Sequence, residues 1–274
     1  QLASTARLPA DMVLPKLAPQ LLRERHVSLT EERGHRGPVA YFHGCAANYF
    51  QDGVGDAVIA VLRKNGVEPV LPRQRCSGTP IETYGHLDRV KDYARFNVES
   101  LGRYDTIVTG CASCTLSLKD YPKWFQGDER KRAEAVAGKV RHVSEFLAGE
   151  GLKAAPTRPC QKTVTYHSSC HLRAAGVSKP PRDLLKRIPG VTFVEMRDAD
   201  RCAGGAGTFC VKDPDTSQKI FERKRAAIRD SGAQVVATSC PACLIQLKNG
   251  LRGEVEVRHI AELLNDAYGP DQTA

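Results

Sequence analysis

The sequence contains one pattern twice, first at residues 105–119 (DTIVTGCASCTLSLK) and again at residues 234–248 (QVVATSCPACLIQLK). Each copy has an apolar run typical of a buried β-strand, then Cys-x-x-Cys, then apolar residues at helical spacing. A strand that turns directly into a helix holds two thiols on one elbow beside a helix N-terminus. That position favours negative charge and stabilises a thiolate or an anionic thiolate–metal centre. The repeat therefore predicts a chain built twice around such an elbow.

The duplication extends beyond the elbows. Corresponding cysteines lie 125 to 129 residues apart, as Cys45/Cys170, Cys76/Cys202, Cys111/Cys240 and Cys114/Cys243. Strands alternate with helices in both halves, which is typical of α/β domains with parallel sheets. We therefore predict an α/β fold of two lobes related by a pseudo-two-fold axis, each a small parallel sheet flanked by helices. Residues 37–150 would form the first lobe, residues 160–268 the second, and residues 1–36 an N-terminal arm or linker.

Short elements are predicted at several places in this scheme. We expect a strand at residues 67–71, and we interpret VRHVSEFL (140–147) and VRHIAELL (257–264) as matched helices that close the two lobes. His142 and His259 occupy the same place in these stretches. We expect a packing or capping role for both, with a hydrogen bond to a metal centre or a proton relay as the alternative. The apolar part of the arm would either pack on the first lobe or dock to a partner or membrane.

Composition excludes several classes of protein. With 41% hydrophobic and 26% charged residues the chain is typical of globular proteins, and its longest apolar run, residues 57–62, is too short to span a bilayer. The net charge of +9 suits an acidic partner subunit or an anionic membrane surface. Dispersed basic residues and an aromatic content of 6% argue against nucleic acid. Because the chain begins with Gln1, we expect that it starts inside a longer product.

The ten cysteines are too sparse for a disulfide scaffold in 274 residues, so thiols at matched spacing indicate metal ligation or redox chemistry. The predicted ligands of the first lobe are Cys45, Cys76, Cys111 and Cys114, and those of the second are Cys170, Cys202, Cys240 and Cys243. All eight follow predicted strand ends, which meet at one edge of a parallel sheet. Four thiolates fit a [4Fe–4S] cluster and a tetrahedral Zn²⁺ equally. Ordinary buried thiols are a further alternative.

Six stretches of the sequence, five of which contain cysteine, resemble a known family. They are VAYFHGCAANY (39–49), RCSGTPIETYG (75–85), FNVESL (96–101), VTYHSSCH (164–171), CAGGAGTF (202–209) and SGAQVVATSCPAC (231–243). This doubled pattern is similar to the cysteine-rich CCG domain, which occurs twice in one subunit of heterodisulfide reductase and in the iron–sulfur subunits of glycolate and lactate oxidation. The resemblance is strongest to the cysteine-rich subunit of anaerobic glycerol-3-phosphate dehydrogenase, and it covers about residues 38–265.

The resemblance implies an iron–sulfur subunit that relays electrons from a flavoprotein dehydrogenase toward a membrane quinone. It implies one [4Fe–4S] cluster per lobe, with occupancy of a single lobe as the alternative, and a location in the cytoplasm, peripheral on the inner membrane. A ferredoxin-like domain or subunit would carry further clusters, because its closely spaced cysteine runs are not in this sequence. No residue of this chain is expected to do substrate chemistry.

The sequence departs from the family at the Cys-Cys-Gly turn. The second cysteine of that turn is Ser77 in the first lobe and Ala203 in the second. Four cysteines per lobe suit a conventional cubane cluster, which favours electron transfer over thiol–disulfide reduction of the heterodisulfide type. That reductase, and a zinc-stabilised docking module, remain the alternatives. Ser77 could be an oxygen ligand, a hydrogen-bond donor to cluster sulfur, or simply a turn residue.

The remaining candidates have weaker support. Cys160 and Cys210 have no partner in the repeat and are expected to be structural thiols, although Cys210 could be an auxiliary ligand. Three histidines flank the first ligands, and one of them could donate a hydrogen bond to cluster sulfur; they are His43, His167 and His171. Arg75 and Arg201 precede the turn cysteines and would either offset cluster charge or be solvated surface charges.

Overall fold

A computed structural model describes residues 12, 15–150 and 152–269. It contains two parallel β-sheets. The first has the order β1 (Val39–Phe42), β2 (Thr106–Thr109), β3 (Val140–His142), and the second has the order β5 (Val191–Phe193), β4 (Lys162–His167), β6 (Val235–Thr238), β7 (Glu256–His259). Every strand pair is parallel. The predicted α/β fold of two similar lobes, each a small parallel sheet flanked by helices, is confirmed.

Helices cover both sheets. In the first lobe they are α1 (Leu22–Arg25), α2 (Gly44–Tyr49), α3 (Asp52–Lys64), α4 (Thr79–Thr83), α5 (Leu87–Leu101), α6 (Ala112–Asp120), α7 (Gly127–Ala137) and α8 (Val143–Glu150). In the second they are α9 (Cys170–Ala174), α10 (Lys179–Lys186), α11 (Phe209–Lys212), α12 (Pro214–Asp230), α13 (Pro241–Leu251) and α14 (Ile260–Tyr268). Short 3₁₀ helices lie at Val27–Leu29, Glu31–Arg33 and Tyr121–Trp124. In the part of the chain that the structure describes, no helix combines the length and the apolar character needed to cross a bilayer.

The central strands β2 and β6 are buried along almost their whole length. In β2 and β6 nearly every residue is buried, because helices cover both faces of a parallel sheet. Their β-branched side chains also favour the extended backbone. This continuous burial explains why these strands can be identified in the sequence.

The prediction that the two closing stretches are wholly helical is wrong. Val140–His142 and Glu256–His259 form the outer strands β3 and β7, and the helices α8 and α14 begin only after each histidine. Residues in β3 and β7 alternate between buried and half-buried, which is the two-residue period of a strand. Pairing with β2 and β6 therefore overrides the helical appearance of the sequence.

The strand expected at residues 67–71 is reduced to two isolated bridges. Val70 pairs with Ala40, and Leu71 pairs with Thr30. Pro69 and Pro72 enclose this pair, and neither can donate a ladder hydrogen bond. The bridge at Val70 nevertheless occupies the place beside β1 that β5 occupies beside β4.

One buried apolar cluster is shared by the two lobes. Tyr41 and Val108 contribute to it from the first sheet, and Tyr166 and Val235 contribute from the second. Side chains of α3, α8, α10 and α14 fill the space between the sheets. Separate clusters lie on the outer face of each sheet. Each lobe therefore completes its inner core only against the other.

The predicted N-terminal arm is described only in part, since residues 1–11, 13 and 14 lie outside the described residues. Leu22 is fully buried in the shared core. The backbone N–H of Ala18 donates to the Tyr49 carbonyl at 2.7 Å. Leu17 is 77% exposed. The described part of the arm thus packs on the first lobe.

Candidate metal centres

Each elbow places its first cysteine at a helix N-terminus. Cys111 is the N-cap of α6, and its Sγ accepts a hydrogen bond from the Cys114 backbone N–H at 3.4 Å. Cys240 is the N-cap of α13, where Pro241 provides a backbone already suited to the first helical turn. The backbone N–H groups at these termini favour a negatively charged sulfur.

In the first lobe the other two cysteines approach this elbow. Cys45 lies in the first turn of α2, directly after β1, and its Sγ is 4.0 Å from the Sγ of Cys76. Negative charge on Cys111 or Cys45 raises the pKa of Cys114, and negative charge on Cys111 raises the pKa of Cys45. All four predicted ligands of this lobe therefore lie within electrostatic reach of one another.

The backbone before Cys45 leaves space for these sulfurs. Gly44 has φ +69°, and a Cβ at this position would lie 2.8 Å from the Cys114 Sγ. A side chain here would displace Cys114, so the close approach depends on glycine. The absence of a side chain at Gly44 thus allows the Cys114 sulfur to lie beside the backbone that leads to Cys45.

The second lobe repeats the arrangement with different local contacts. Cys170 begins α9, and the Cys202 Sγ accepts a hydrogen bond from the Gly204 N–H at 3.2 Å. Negative charge on Cys240, Cys170 or Cys202 raises the pKa of Cys243. The four predicted ligands of this lobe are thus also within electrostatic reach of one another.

Each lobe contains one thiol that ionises readily. Contact with Cys45 lowers the pKa of Cys76 to about 6, and the same contact raises the pKa of Cys45. In the second lobe contact with Cys243 lowers the pKa of Cys240 to about 6, and the same contact together with burial raises the pKa of Cys243. Because the thiolate is the form that ligates metals, these thiols are prepared for ligation near neutral pH.

The two donor sets fit a thiolate-bound metal centre. All the donors are sulfur, backbone N–H groups hydrogen-bond to two of them, and the first lobe leaves room at Gly44. Within residues 12, 15–150 and 152–269, no three His, Cys, Asp or Glu side chains lie as close together as the ligands of a single ion do.

The two sites meet at the seam between the lobes. The Ala112 N–H donates to the Ser239 carbonyl at 3.0 Å and so joins the two elbows directly. The Ser113 hydroxyl lies 3.8 Å from the Cys240 Sγ and 2.6 Å from Nδ1 of His171. A residue of the first elbow therefore contacts a predicted ligand of the second site, and His171 reaches that site through Ser113.

The turns that carry Cys76 and Cys202 are held by their own elbow helices. Ser117 and Tyr121 donate hydrogen bonds to the Ser77 carbonyl at 2.8 and 3.0 Å. In the second lobe Gln246 donates to the Ala203 carbonyl at 3.0 Å. The Ser77 hydroxyl faces the thiols of Cys76 and Cys114, whereas Ala203 has no such group.

His142 and His259 cap the helices that follow them. Nδ1 of His142 accepts the Ser144 N–H, and Nδ1 of His259 accepts the Ala261 N–H, both at 3.2 Å. Burial lowers the pKa of His142 to about 3 and that of His259 to about 4. Both rings are therefore neutral near pH 7, and the capping role expected from the duplication is the one they perform.

His43 is poorly suited to donate to a cluster sulfur. Its Nδ1 lies 2.7 Å from the Gly44 carbonyl, so the proton is on Nδ1. Burial lowers its pKa to about 4, and a neutral imidazole has only one N–H. Burial also lowers the pKa of His167 to about 3, and its buried Nδ1 has no partner among the described residues.

The two arginines beside the turn cysteines have surface partners. The Arg75 guanidinium lies 4.7 Å from the ring centroid of Phe96 and 5.4 Å from that of Tyr93. Arg201 forms an ion pair with Asp198 at 3.4 Å. Each arginine remains within its own turn region, and neither has a described contact with a thiol.

The two unmatched cysteines lie outside both donor sets. Cys160 packs against the shared core, as expected of a structural thiol. The Cys210 Sγ contacts the Gly207 carbonyl at 3.8 Å. The structure describes no contact between Cys210 and Cys202, so the auxiliary role remains a prediction.

Sequence reasoning missed a matched pair of tyrosines. Tyr41 and Tyr166 are separated by the same spacing as Cys45 and Cys170, and both are fully buried in the shared core. The Tyr166 hydroxyl donates to the Ser239 Oγ at 3.0 Å, whereas the Tyr41 hydroxyl has no hydrogen-bond partner among the described residues. The constant spacing was the signal that could have identified them.

Comparison with known proteins agrees with this duplicated architecture. A family model described as cysteine-rich domain (CCG) matches residues 39–119 and 164–248. The chain is 37% identical over 240 residues to a subunit of the fumarate reductase (CoM/CoB) of Methanothermobacter marburgensis, and the match covers 85% of this chain and 47% of that protein. It is 34% identical over 239 residues to lactate utilization protein A of an Exiguobacterium species, and this match covers 83% of this chain and 97% of that protein.

The chain thus spans about half the length of the first relative and nearly all of the second. A crystal structure of a hypothetical protein from Helicobacter pylori shares the fold, with a TM-score of 0.63 at 10% identity over 92% of this chain and 54% of that one. Because the cysteine-rich domain model matches both lobes and more than half of the residues, the protein belongs to the cysteine-rich CCG domain family.

Proposed function

We propose that the chain is an iron–sulfur electron-transfer subunit of a flavin-linked respiratory dehydrogenase complex. Each four-cysteine set would hold one [4Fe–4S] cluster, which when bound accepts and releases one electron at a time. The ligands are Cys45, Cys76, Cys111 and Cys114 in the first lobe, and Cys170, Cys202, Cys240 and Cys243 in the second.

One observation carries the proposal: two matched sets of four thiols meet across a single seam. The elbows touch through the hydrogen bond from Ala112 to Ser239, and Ser113 reaches Cys240. Two redox centres that serve one path need to be close together and fixed in position. The seam between the lobes supports both requirements.

The residues around the thiols have supporting roles. Gly44 leaves space beside Cys114, and the N-termini of α6 and α13 favour anionic sulfur. Cys111, Cys114 and Cys240 are buried, whereas Cys170 and Cys202 are exposed, so water is kept away from only part of each set. Exclusion of water strengthens every electrostatic effect of the protein on a bound group.

The partners follow from the family and from charge. A flavoprotein dehydrogenase would oxidise a small hydroxylated substrate such as glycerol 3-phosphate, glycolate or lactate, and a ferredoxin-like domain or subunit would pass electrons to this chain. A relative of nearly the same length is named for lactate utilization, which supports a hydroxy acid as that substrate. The net charge of +9 suits a peripheral position on the cytoplasmic side of the inner membrane, near quinone.

The first test is anaerobic purification with iron, sulfide and zinc analysis, followed by EPR of the dithionite-reduced protein. We expect about eight irons and matching sulfide per chain, with S = 1/2 cubane signals. Zinc without iron would contradict the proposal and would support the zinc-stabilised docking module instead.

A second candidate function is thiol–disulfide reduction of the heterodisulfide type. The relative named as a fumarate reductase (CoM/CoB) subunit favours it, since that name couples a reductase to CoM and CoB. The same EPR experiment separates the two functions. A paramagnetic signal in the oxidised protein that changes on addition of thiols would support the reductase, whereas signals that appear only on reduction support electron transfer.

A further inference from the structure

The two lobes differ in one buried residue of the helix that contacts the turn carrying Cys76 or Cys202. Helices α5 and α12 are counterparts, and their buried positions correspond at one constant spacing as Val90/Ser217, Ala94/Phe221, Asn97/Lys224 and Leu101/Ile228. A neutral amide in the first lobe thus corresponds to a lysine in the second. Both side chains are buried, Asn97 fully and Lys224 with 2% exposed.

Asn97 holds the turn of the first lobe with hydrogen bonds alone. Its Oδ1 accepts the Arg75 N–H at 2.8 Å, and its Nδ2 donates to the Arg75 carbonyl at 3.3 Å and to the Cys76 carbonyl at 3.4 Å. Nδ2 also lies 2.8 Å from the Tyr121 hydroxyl. The amide positions Cys76 without adding charge.

Lys224 has the corresponding helix position in the second lobe, and its ammonium group contacts the segment that precedes the Cys202 turn. Its Nζ donates to the Asp198 carbonyl at 2.6 Å and lies 4.0 Å from the Met196 Sδ. Burial lowers its pKa to about 8, although Asp200, Asp198, Cys202 and Cys243 act to raise it. The group is therefore still mainly charged at pH 7.

Two carboxylates, Asp198 and Asp200, act on Lys224, and each of them also has an arginine partner. Asp198 pairs with Arg201 at 3.4 Å, and Asp200 pairs with Arg173 at 3.6 Å. Within the described residues Lys224 makes no ion pair of its own. Its field therefore acts on the thiols of the second lobe, where electrostatic coupling to Cys202 and Cys243 is present.

The number of hydroxyl groups beside the thiols is the same in both lobes. The Ser77 hydroxyl faces Cys76 and Cys114 in the first lobe, and the Ser113 hydroxyl faces Cys240 in the second. Each site thus has one hydroxyl that can hydrogen-bond to sulfur. The lysine is the additional buried positive charge of the second lobe, whereas Arg75 beside Cys76 is exposed.

We propose that Lys224 makes the metal centre of the second lobe easier to reduce than that of the first. This inference rests on the proposed function. One-electron reduction adds one negative charge to a centre and transfers no proton or bonded atom, so a buried cation nearby stabilises the reduced state. An electron supplied by the partner dehydrogenase is then held preferentially in the second lobe. Lys224 acts through space and ligates nothing.

The test is an EPR-monitored redox titration of the full chain after anaerobic purification. Cys114→Ala removes a ligand of the first site and Cys243→Ala a ligand of the second, so each variant reports on the remaining centre. We expect the second-lobe centre to have the higher potential. Lys224→Met should lower the potential of that centre by at least the equivalent of a tenfold change in the reduction equilibrium, about 59 mV for one electron.

Lys224→Arg keeps the charge and should restore most of the difference, while the first-lobe centre should be unaffected by either change. Two results would overturn the inference: equal or reversed potentials in the otherwise unaltered chain, or an unchanged second-lobe potential in Lys224→Met with iron retained. If Lys224→Met loses its iron, the inference is judged by whether the second-lobe centre has the higher potential in the chains that retain Lys224. Iron and sulfide analysis reports on the proposed function separately, and a chain without iron would overturn both.

Discussion

The two lobes share their arrangement of strands, helices and cysteines, and they differ in the residues that surround the thiols. In each lobe the cysteine elbow follows an inner strand of the sheet, β2 in the first lobe and β6 in the second. In each lobe a histidine also caps the helix that follows the last strand. By contrast Gly44, with φ +69°, corresponds to Ser169, with φ −65°. The donor groups are thus retained in both copies, whereas the groups that set space, hydrogen bonding and charge have diverged. Two sites with the same ligands can therefore have different properties.

Removal of one ligand per lobe should show the largest effect. We expect Cys114→Ala and Cys243→Ala each to lower the iron content from about eight to about four per chain, because each site has its own four thiolates. Iron and sulfide analysis measures this, and Cys160→Ala is the matched control because Cys160 lies outside both sets. Loss of all iron in either variant would mean that the sites are not independent.

Gly44→Ala should damage the first lobe selectively. The new Cβ would lie 2.8 Å from the Cys114 Sγ, so overpacking should cost about 1–3 kcal/mol and displace a ligand. The left-handed backbone adds about 1 kcal/mol. Urea unfolding and iron analysis measure both effects.

The matched control is Gly34→Ala, since Gly34 has φ +82° and no atom within 4 Å of a new Cβ. It should show only the backbone cost and retain its iron. Equal losses of stability and of iron in Gly44→Ala and Gly34→Ala would show that the close approach of residue 44 to Cys114 is unimportant.

The buried histidines should make stability depend on pH in the same way in both lobes. Burial lowers the folded-state pKa of His142 to about 3 and that of His259 to about 4, so the unfolded chain binds protons first as pH falls. The free energy of unfolding should therefore decrease below about pH 6.5, by about 1.4 kcal/mol per pH unit for each histidine, until the pH approaches the folded-state values.

Urea unfolding between pH 5 and 8 measures this slope. His142→Asn and His259→Asn should each reduce the slope of unfolding free energy against pH by the contribution of one proton. His86→Asn changes an exposed histidine and is the control, so it should leave the slope unchanged. A slope unaffected by both buried substitutions would contradict the assignment.

The paired tyrosines should show the smallest difference. Tyr166→Phe removes the hydrogen bond to Ser239 and should destabilise the chain by about 1 kcal/mol. Tyr41→Phe removes a buried hydroxyl that has no partner in the described part of the chain, so it should be neutral or slightly stabilising. Each variant is the control for the other in thermal unfolding, and equal destabilisation would refute the difference.

Much of the fold could be predicted because the chain is duplicated. Comparison of the copies reveals the elbows and the matched cysteines, and continuous apolar runs indicate the central strands. The prediction was wrong for the outer strands β3 and β7, because VRH before a helical pattern does not show where a strand ends. Only pairing with β2 and β6 decides that boundary.

The candidate site was predictable in its donors and not in its surroundings. No spacing rule places Ser113 beside Cys240, since that contact crosses the seam between the lobes. Likewise the correspondence of Asn97 with Lys224 becomes visible only when burial aligns α5 with α12. Long-range packing determines such contacts, and a single sequence does not encode it in any local pattern.

Because the two sheets share one core, neither repeat is expected to fold without the other. A fragment that ends between the two repeats would expose the apolar side chains of Tyr41 and Val108, or those of Tyr166 and Val235, to water. Such a face is a strong drive to aggregation or to pairing with a second copy. One repeat on its own is thus half of a symmetric pair, and the tandem chain supplies the partner covalently. Truncation between the two repeats should give an aggregation-prone half of the protein, and the pair of repeats is the smallest unit expected to fold alone.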